Sequence, residues 1–130
     1  MALLAEKLEV MVVDDTAVSR ALIVDALEQI GIKKVTVAKD GNQALKDLSG
    51  KQMHLVISDM NMPGMDGLEL LKRLRGQAPT SRIGFILVTG SADKTLIERG
   101  RALQMNNYVA KPFTVETVKT AIEAVVGRLQ

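Results

Sequence analysis

The chain has 130 residues, room for one domain, and its 47% hydrophobic and 25% charged content is that of a globular protein with a real core. Seventeen Lys and Arg against fifteen Asp and Glu leave +2, too weak a field to argue for nucleic acid or an anionic membrane. The lack of cysteine excludes a disulfide framework and thiolate metal sites, and three aromatics (Phe85, Tyr108, Phe113) are too few for a base-stacking platform or a flavin sandwich. No apolar run approaches the roughly 18 residues of a membrane span. The opening MALLAEK is too short, and carries an acid too early, for a secretory signal. The expectation is a small cytoplasmic domain.

In chain order, Val10-Met11-Val12-Val13 is a continuous apolar run that ends at Asp14-Asp15, the pattern of a strand buried on both faces. Thr16 is placed to cap a helix in which Val18, Leu22, Leu27 and Ile30 keep helical spacing up to Gly31. Val35-Thr36-Val37 predicts a second strand, Gln43 to Leu48 a short helix closed by Ser49-Gly50, and Leu55-Val56-Ile57 a third strand broken at Ser58-Asp59. Asp66, with Glu69 three residues on, reads as a capping box for a helix carrying Leu68, Leu71 and Leu74. Ile83 to Val88 predicts the fourth strand, and Ser91 caps a helix running to about Leu103. Tyr108-Val109-Ala110 is a brief fifth strand before Lys111-Pro112, a bond whose isomer the sequence leaves open. Thr114 caps the last helix, whose Val115, Val118, Ile122, Val125 and Leu129 form one stripe. Five strand–helix units in succession predict an α/β fold: a parallel sheet, five helices on its two faces, right-handed crossovers.

In open sheets of this kind ligands sit beyond the carboxyl ends of the strands. Asp14 and Asp15 follow the first strand, Asp59 the third, Thr89 the fourth and Lys111 the fifth; only Lys39 and Asp40 follow the second. Read singly, Asp14 and Asp15 are helix-start charges, Asp59 a turn residue and Lys111 a solvated lysine. Read together, three carboxylates, a hydroxyl and an ammonium meet at one edge. Two carboxylates about 5 Å apart repel by roughly 3 kcal/mol at an effective dielectric near 20, so such a group raises its members' pKa or recruits a cation. All-oxygen ligands suit a hard ion, and few carboxylates with room for water suit Mg²⁺ better than Ca²⁺. A carboxylate beside such an ion, facing a hydroxyl and an ammonium, matches the needs of phosphoryl transfer to an aspartate. Elsewhere, Pro63-Gly64 shapes a loop, the seven Met are mostly core filler, and His54 lies remote from the edge as a structural or solvated residue.

Asp14-Asp15, the run Val56 to Gly67 (VISDMNMPGMDG), Val88-Thr89-Gly90 and Tyr108-Val109-Ala110-Lys111-Pro112-Phe113 together resemble the receiver domains of response regulators, over about Leu8 to Leu129. The likeness is greatest to the CheY-like, single-domain chemotaxis type. It implies a flavodoxin-like, doubly wound five-stranded sheet of order 2-1-3-4-5. Residues 1–130 are then one receiver domain, core about 8–129, with no output domain. The resemblance also implies roles. Asp59 is the phospho-acceptor. Asp15 is a direct Mg²⁺ ligand, completed by Asp59 and the backbone carbonyl of Asn61, while Asp14 reaches the ion mainly through water. Thr89 is the hydroxyl that moves to one phosphoryl oxygen, and Lys111 the ammonium on another. Tyr108 is the ring that turns inward, and Gly90 leaves it room. Asn61 and Ser91 stand where the family tunes the lifetime of the phosphoryl group.

The implied function is a stand-alone switch. A sensor histidine kinase of the chemotaxis type donates to Asp59, and the face of the fourth helix, fifth strand and fifth helix changes its affinity for a flagellar motor switch protein or a phosphotransfer protein. The chain would act as a monomer, away from nucleic acid and membrane, catalysing only its own phosphorylation and dephosphorylation. Alternatives are a phosphate sink, a phosphorelay intermediate, or a binding module indifferent to phosphorylation; the full set of Asp14, Asp15, Asp59, Thr89 and Lys111 argues against the last. A small-molecule phosphatase needs a second acid two residues past the nucleophile, where this chain has Asn61. Two departures stand out. Met60 follows the acceptor where the CheY-like type has tryptophan, and Leu103-Gln104-Met105-Asn106-Asn107 replaces a glycine-containing loop, with Asn106 or Asn107 expected to take the left-handed conformation.

Overall fold

A computed structural model describes residues 3–130; the start of the MALLAEK segment, including Met1, lies outside the described residues. A one-turn helix, α1 (Leu4–Lys7), precedes β1 (Glu9–Val13), α2 (Ala17–Ile30), β2 (Lys34–Ala38), α3 (Gly41–Gly50), β3 (Leu55–Asp59) and α4 (Gly67–Arg75). A 3₁₀ turn (Ala78–Thr80) leads into β4 (Gly84–Thr89), α5 (Lys94–Ala102), β5 (Asn107–Ala110) and α6 (Val115–Val126). The described helices therefore number six rather than the expected five, the extra one being α1. All strands are parallel, in the order β2-β1-β3-β4-β5.

Successive strand residues point to opposite faces, and the core divides accordingly. Val10, Val12, Leu55, Ile57, Ile86 and Val88 pack under α2 and α6. Met11, Val13, Val56, Phe85 and Leu87 pack under α3 and α4 on the other face. Strand β3, in the middle of the sheet, is buried at every position. The register levels the carboxyl ends: Val13 pairs with Ser58, Asp59 with Val88, and Thr89 with Ala110. Residues that end or follow β1, β3, β4 and β5 are thereby brought to one edge.

Several helix details differ from the sequence reading. On α2 the buried positions are Ile23, Ala26, Leu27 and Ile30, whereas Val18 and Leu22 are 72% and 58% exposed. Thr16 occupies the N-cap of α2 without a side-chain cap bond; its own N–H donates to Asp14 Oδ1 at 2.9 Å. At α5 the cap is Asp93, which accepts from Leu96 N–H, and not Ser91, whose N–H is committed to Thr89 Oγ1. Asp66 caps α4 by accepting from Glu69 N–H, one half of the expected box. Thr114 caps α6 in a reciprocal pair with Thr117. Leu129 is buried but stands beyond α6, past Gly127 at φ +96°, so it belongs to a returning tail rather than to the helical stripe.

The loop before β5 is held from outside. Its left-handed residue is Gln104 (φ +65°), not Asn106 or Asn107. Arg75, at the end of α4, donates to Gln104 O at 3.0 Å and Asn106 Oδ1 at 3.1 Å, and Asn106 Oδ1 also accepts from Phe85 N–H at 2.8 Å. His54 Nδ1 accepts from Glu9 N–H at 2.9 Å at the amino end of the sheet, a structural role. Among the described residues no helix is long and apolar enough to cross a membrane.

Candidate functional site

Burying a polar side chain is costly without a partner, so buried polar groups mark either structure or function. Of five buried polar or charged side chains among the described residues, Asp14, Ser58, Asp59 and Thr89 lie at the carboxyl edge of the sheet. Asp14, directly after β1, is fully buried. Its N–H donates to Ala38 O at 3.1 Å, its carbonyl accepts from Arg20 Nη1 at 2.8 Å, and its Oδ1 accepts from Thr16 N–H. Its Oδ2 is buried without any partner. Asp15 is exposed beside it, and Asp59 ends β3 at 5% exposure. One carboxylate oxygen from each of the three lies within 4.8 Å of the others.

That geometry sets the electrostatics. Burial pushes the Asp59 carboxyl above its ordinary range, and the Asp14 charge adds to the rise. The hydrogen bond and charge of Lys111 pull the other way, as does the Asn61 backbone N–H, without cancelling the effect of burial. Lys111 Nζ stands 3.2 Å from Asp59 Oδ1. Its backbone N–H donates to Thr89 O at 2.8 Å, and the Lys111-Pro112 bond is cis.

The other expected residues surround this core. Thr89 ends β4, 2% exposed, its Oγ1 accepting from Ser91 N–H at 3.1 Å, which leaves the O–H free to donate elsewhere. Asn61 is exposed in the loop after β3. A β-carbon at Gly90 would meet nothing within 4 Å, so the space beside Thr89 is open. Tyr108 is half-buried on the edge strand β5, packed against the core under α3 and α4 and facing an open groove of about 470 Å³ with Thr117 and Thr120.

Two residues absent from the sequence reading join the site. Ser19 Oγ lies 3.3 Å from Lys111 Nζ, and Arg20 ties down the Asp14 carbonyl. Both sit in the first turns of α2, four and five residues past Asp15, where a helix leaving the edge turns polar side chains back over it. That position, rather than residue type, was the available signal.

The donor set suits a hard divalent cation. Three carboxylates supply only oxygen, they converge, and Asp14 Oδ2 is an acceptor withdrawn from water with nothing to accept from. Asp14, Asp15 and Asp59 can therefore hold such an ion.

Residues 10–123 match the response regulator receiver domain family. The chain is 47% identical over 127 residues, 98% of each chain, to the probable chemotaxis protein CheY of Rhizobium etli. The solved structure of chemotaxis protein CheY4 of Vibrio cholerae is similar with a TM-score of 0.85 at 29% identity, covering 91% of this chain and 98% of that one. The receiver domain of the sensor histidine kinase PA1611 of Pseudomonas aeruginosa, which has a magnesium ion coordinated in its active-site cleft, is similar with a TM-score of 0.83 at 26% identity, over 93% and 98%. The family match runs from the first strand into the last helix and takes in every edge residue described above, and it makes this chain a CheY-like member of the response regulator receiver family.

Proposed function

We propose that the chain is a phosphorylation-driven binding switch of a two-component system of the chemotaxis type. The observation that carries this reading is the convergence of Asp59 with Asp14, Asp15 and Lys111 at one edge of the sheet. A carboxylate oxygen of Asp59 attacks the phosphorus of a phosphohistidine on a sensor kinase. The O–P bond forms as the P–N bond breaks, and the electron pair stays on the imidazole, which leaves neutral, protonated at its other nitrogen. Asp14, Asp15 and Asp59, with the Asn61 carbonyl, would hold Mg²⁺, which when bound would supply charge neutralisation at the phosphoryl oxygens.

The chain's own residues do the rest. Lys111 donates to one phosphoryl oxygen, and Thr89 turns its free O–H to another. Movement of the Thr89 hydroxyl opens space that Tyr108 fills, with Gly90 leaving clearance, and the face formed by α5, β5 and α6 changes shape. Asn61 and Ser91 flank the phosphoryl group and set how readily water reaches it. Driving a two-state face from 1:99 to 99:1 takes about 5.5 kcal/mol of differential interaction, within reach of several charge-assisted hydrogen bonds. The partner of that face is a flagellar motor switch protein or a phosphotransfer protein.

The test is intact mass after incubation with Mg²⁺ and a small-molecule phosphodonor, for wild type beside Asp59→Ala. One hydroxylamine-labile phosphoryl gain, lost in the variant and with chelator, is the expected result. An Asp59→Ala chain that still takes up the group would overturn the assignment.

A further inference from the structure

Resting on the phosphotransfer reading above, we propose that Ser19 is the positioning residue for Lys111, holding its ammonium at the site both before and after the phosphoryl group arrives. The Lys111 backbone is fixed by its N–H bond to Thr89 O at 2.8 Å, but its four-carbon side chain is 30% exposed and has much rotamer freedom to lose. Two acceptors hold the head group: Asp59 Oδ1 at 3.2 Å and Ser19 Oγ at 3.3 Å, the latter 92 residues away on α2. An ammonium has three donors, so a third remains for a phosphoryl oxygen.

The two anchors differ in permanence. Asp59 loses its carboxylate charge when one of its oxygens bonds phosphorus, and its hold on the ammonium weakens at that moment. Ser19 is untouched by the transfer and belongs to a different element. As a neutral acceptor it fixes the direction of Lys111 without cancelling the positive charge, which an Asp or Glu there would do. The adjacent Arg20 binds the Asp14 carbonyl at 2.8 Å, so the first turns of α2 locate both the ammonium and the loop that carries two of the acids.

The test compares labelling rates at saturating acetyl phosphate with Mg²⁺, read by intact mass, for wild type, Ser19→Ala, Ser19→Thr, Lys111→Ala and the Ser19→Ala/Lys111→Ala pair, with melting curves as a folding check. Ser19→Ala is expected to label about tenfold more slowly at an unchanged melting temperature, the loss of one hydrogen bond to a charged group. Ser19→Thr should recover to within about twofold, and Ser19→Ala should cost nothing further once Lys111 is gone. A wild-type rate in Ser19→Ala, or the same fold-loss in the Lys111→Ala background, overturns the positioning role while leaving the phosphotransfer reading intact. If Lys111→Ala labels too slowly to rate, failure of Ser19→Thr to recover overturns it instead. An unlabelled wild-type chain removes both.

Discussion

A methyl group placed on Gly67 would lie 2.6 Å from the carbonyl oxygen of Asp59. It would also meet Leu87 Cδ1 at 2.6 Å and Met60 Cα at 3.1 Å, and Gly67 N–H donates to Met60 O at 2.9 Å. The first residue of α4 is thus seated directly on the end of β3, and the missing side chain is what lets helix and acceptor strand touch. Two of the three obstructing atoms are backbone, so they cannot swing aside.

Gly67→Ala is therefore expected to destabilise the fold by about 1–3 kcal/mol, the usual cost of overpacking. Because the pressure falls on Asp59 itself, phosphoryl labelling should slow as well. Urea unfolding and intact-mass labelling of the same sample check both; full stability with normal labelling would show that α4 shifts freely.

Asp59 predicts its own pH behaviour. Its carboxyl is raised by burial, so the folded chain holds that proton more tightly than the unfolded one does. The contribution to stability is then complete below the ordinary value of 3.8 and is lost as pH rises through the raised folded value. Asp59→Asn, which removes the buried charge, should raise the melting temperature without metal near neutral pH, by about 3–5 °C for roughly 1 kcal/mol. The gain should shrink as pH falls toward the ordinary value of 3.8. An advantage that grows on acidification would mean that the pairing with Lys111, not burial, dominates at Asp59.

The strands and the site's acids were legible for the same reason: continuous apolar runs end abruptly in charge at Asp14 and Ser58-Asp59, and only a strand terminus makes that pattern sensible. The two faces of α2 were not. Val18 and Leu22 share helical spacing with Leu27 and Ile30 as well as Ile23 and Ala26 do, and periodicity alone does not say which stripe meets the sheet. Ser91 and Asp93 are both cap residues, and the choice is made by a contact, since Ser91 N–H is already bonded to Thr89. Ser19 and Arg20 escaped notice because their partners are a lysine 92 residues distant and a backbone carbonyl, neither visible in local sequence. Gln104 takes a backbone conformation that only its tether to Arg75 makes intelligible.

The acidic cluster separates folding from cation binding at one residue. Asp15 is exposed, so Asp15→Asn should leave the metal-free stability within about 0.5 kcal/mol. In wild type, Mg²⁺ at about 100 times its Kd should add roughly 2.7 kcal/mol, a melting rise on the order of 10 °C. In Asp15→Asn that rise should be much smaller at the same concentration. Thermal melts with and without Mg²⁺ check this, and equal shifts in the two chains would remove Asp15 from the ligand set.

At the opposite end of the sheet, Asn106 ties three elements together through one oxygen. Its Oδ1 takes both the Arg75 guanidinium, at the end of α4, and the Phe85 N–H, near the start of β4. Arg75 is itself partly desolvated, and its Nε is buried without a partner, so it has little hydrogen bonding to spare. Asn106→Ala leaves the Phe85 amide and one guanidinium N–H unmatched, at a cost of about 1–3 kcal/mol. Removing that tether also frees the loop that leads into β5 and Tyr108. Yet the labelling rate at Asp59 should hold, because the acids, Ser19 and Lys111 all lie at the carboxyl edge. Lower stability with an unchanged labelling rate, read by urea unfolding beside intact mass, is the expected pair of results. A labelling rate that falls with Asn106→Ala while the chain remains folded would mean that the two ends of the sheet are coupled through β4 and β5.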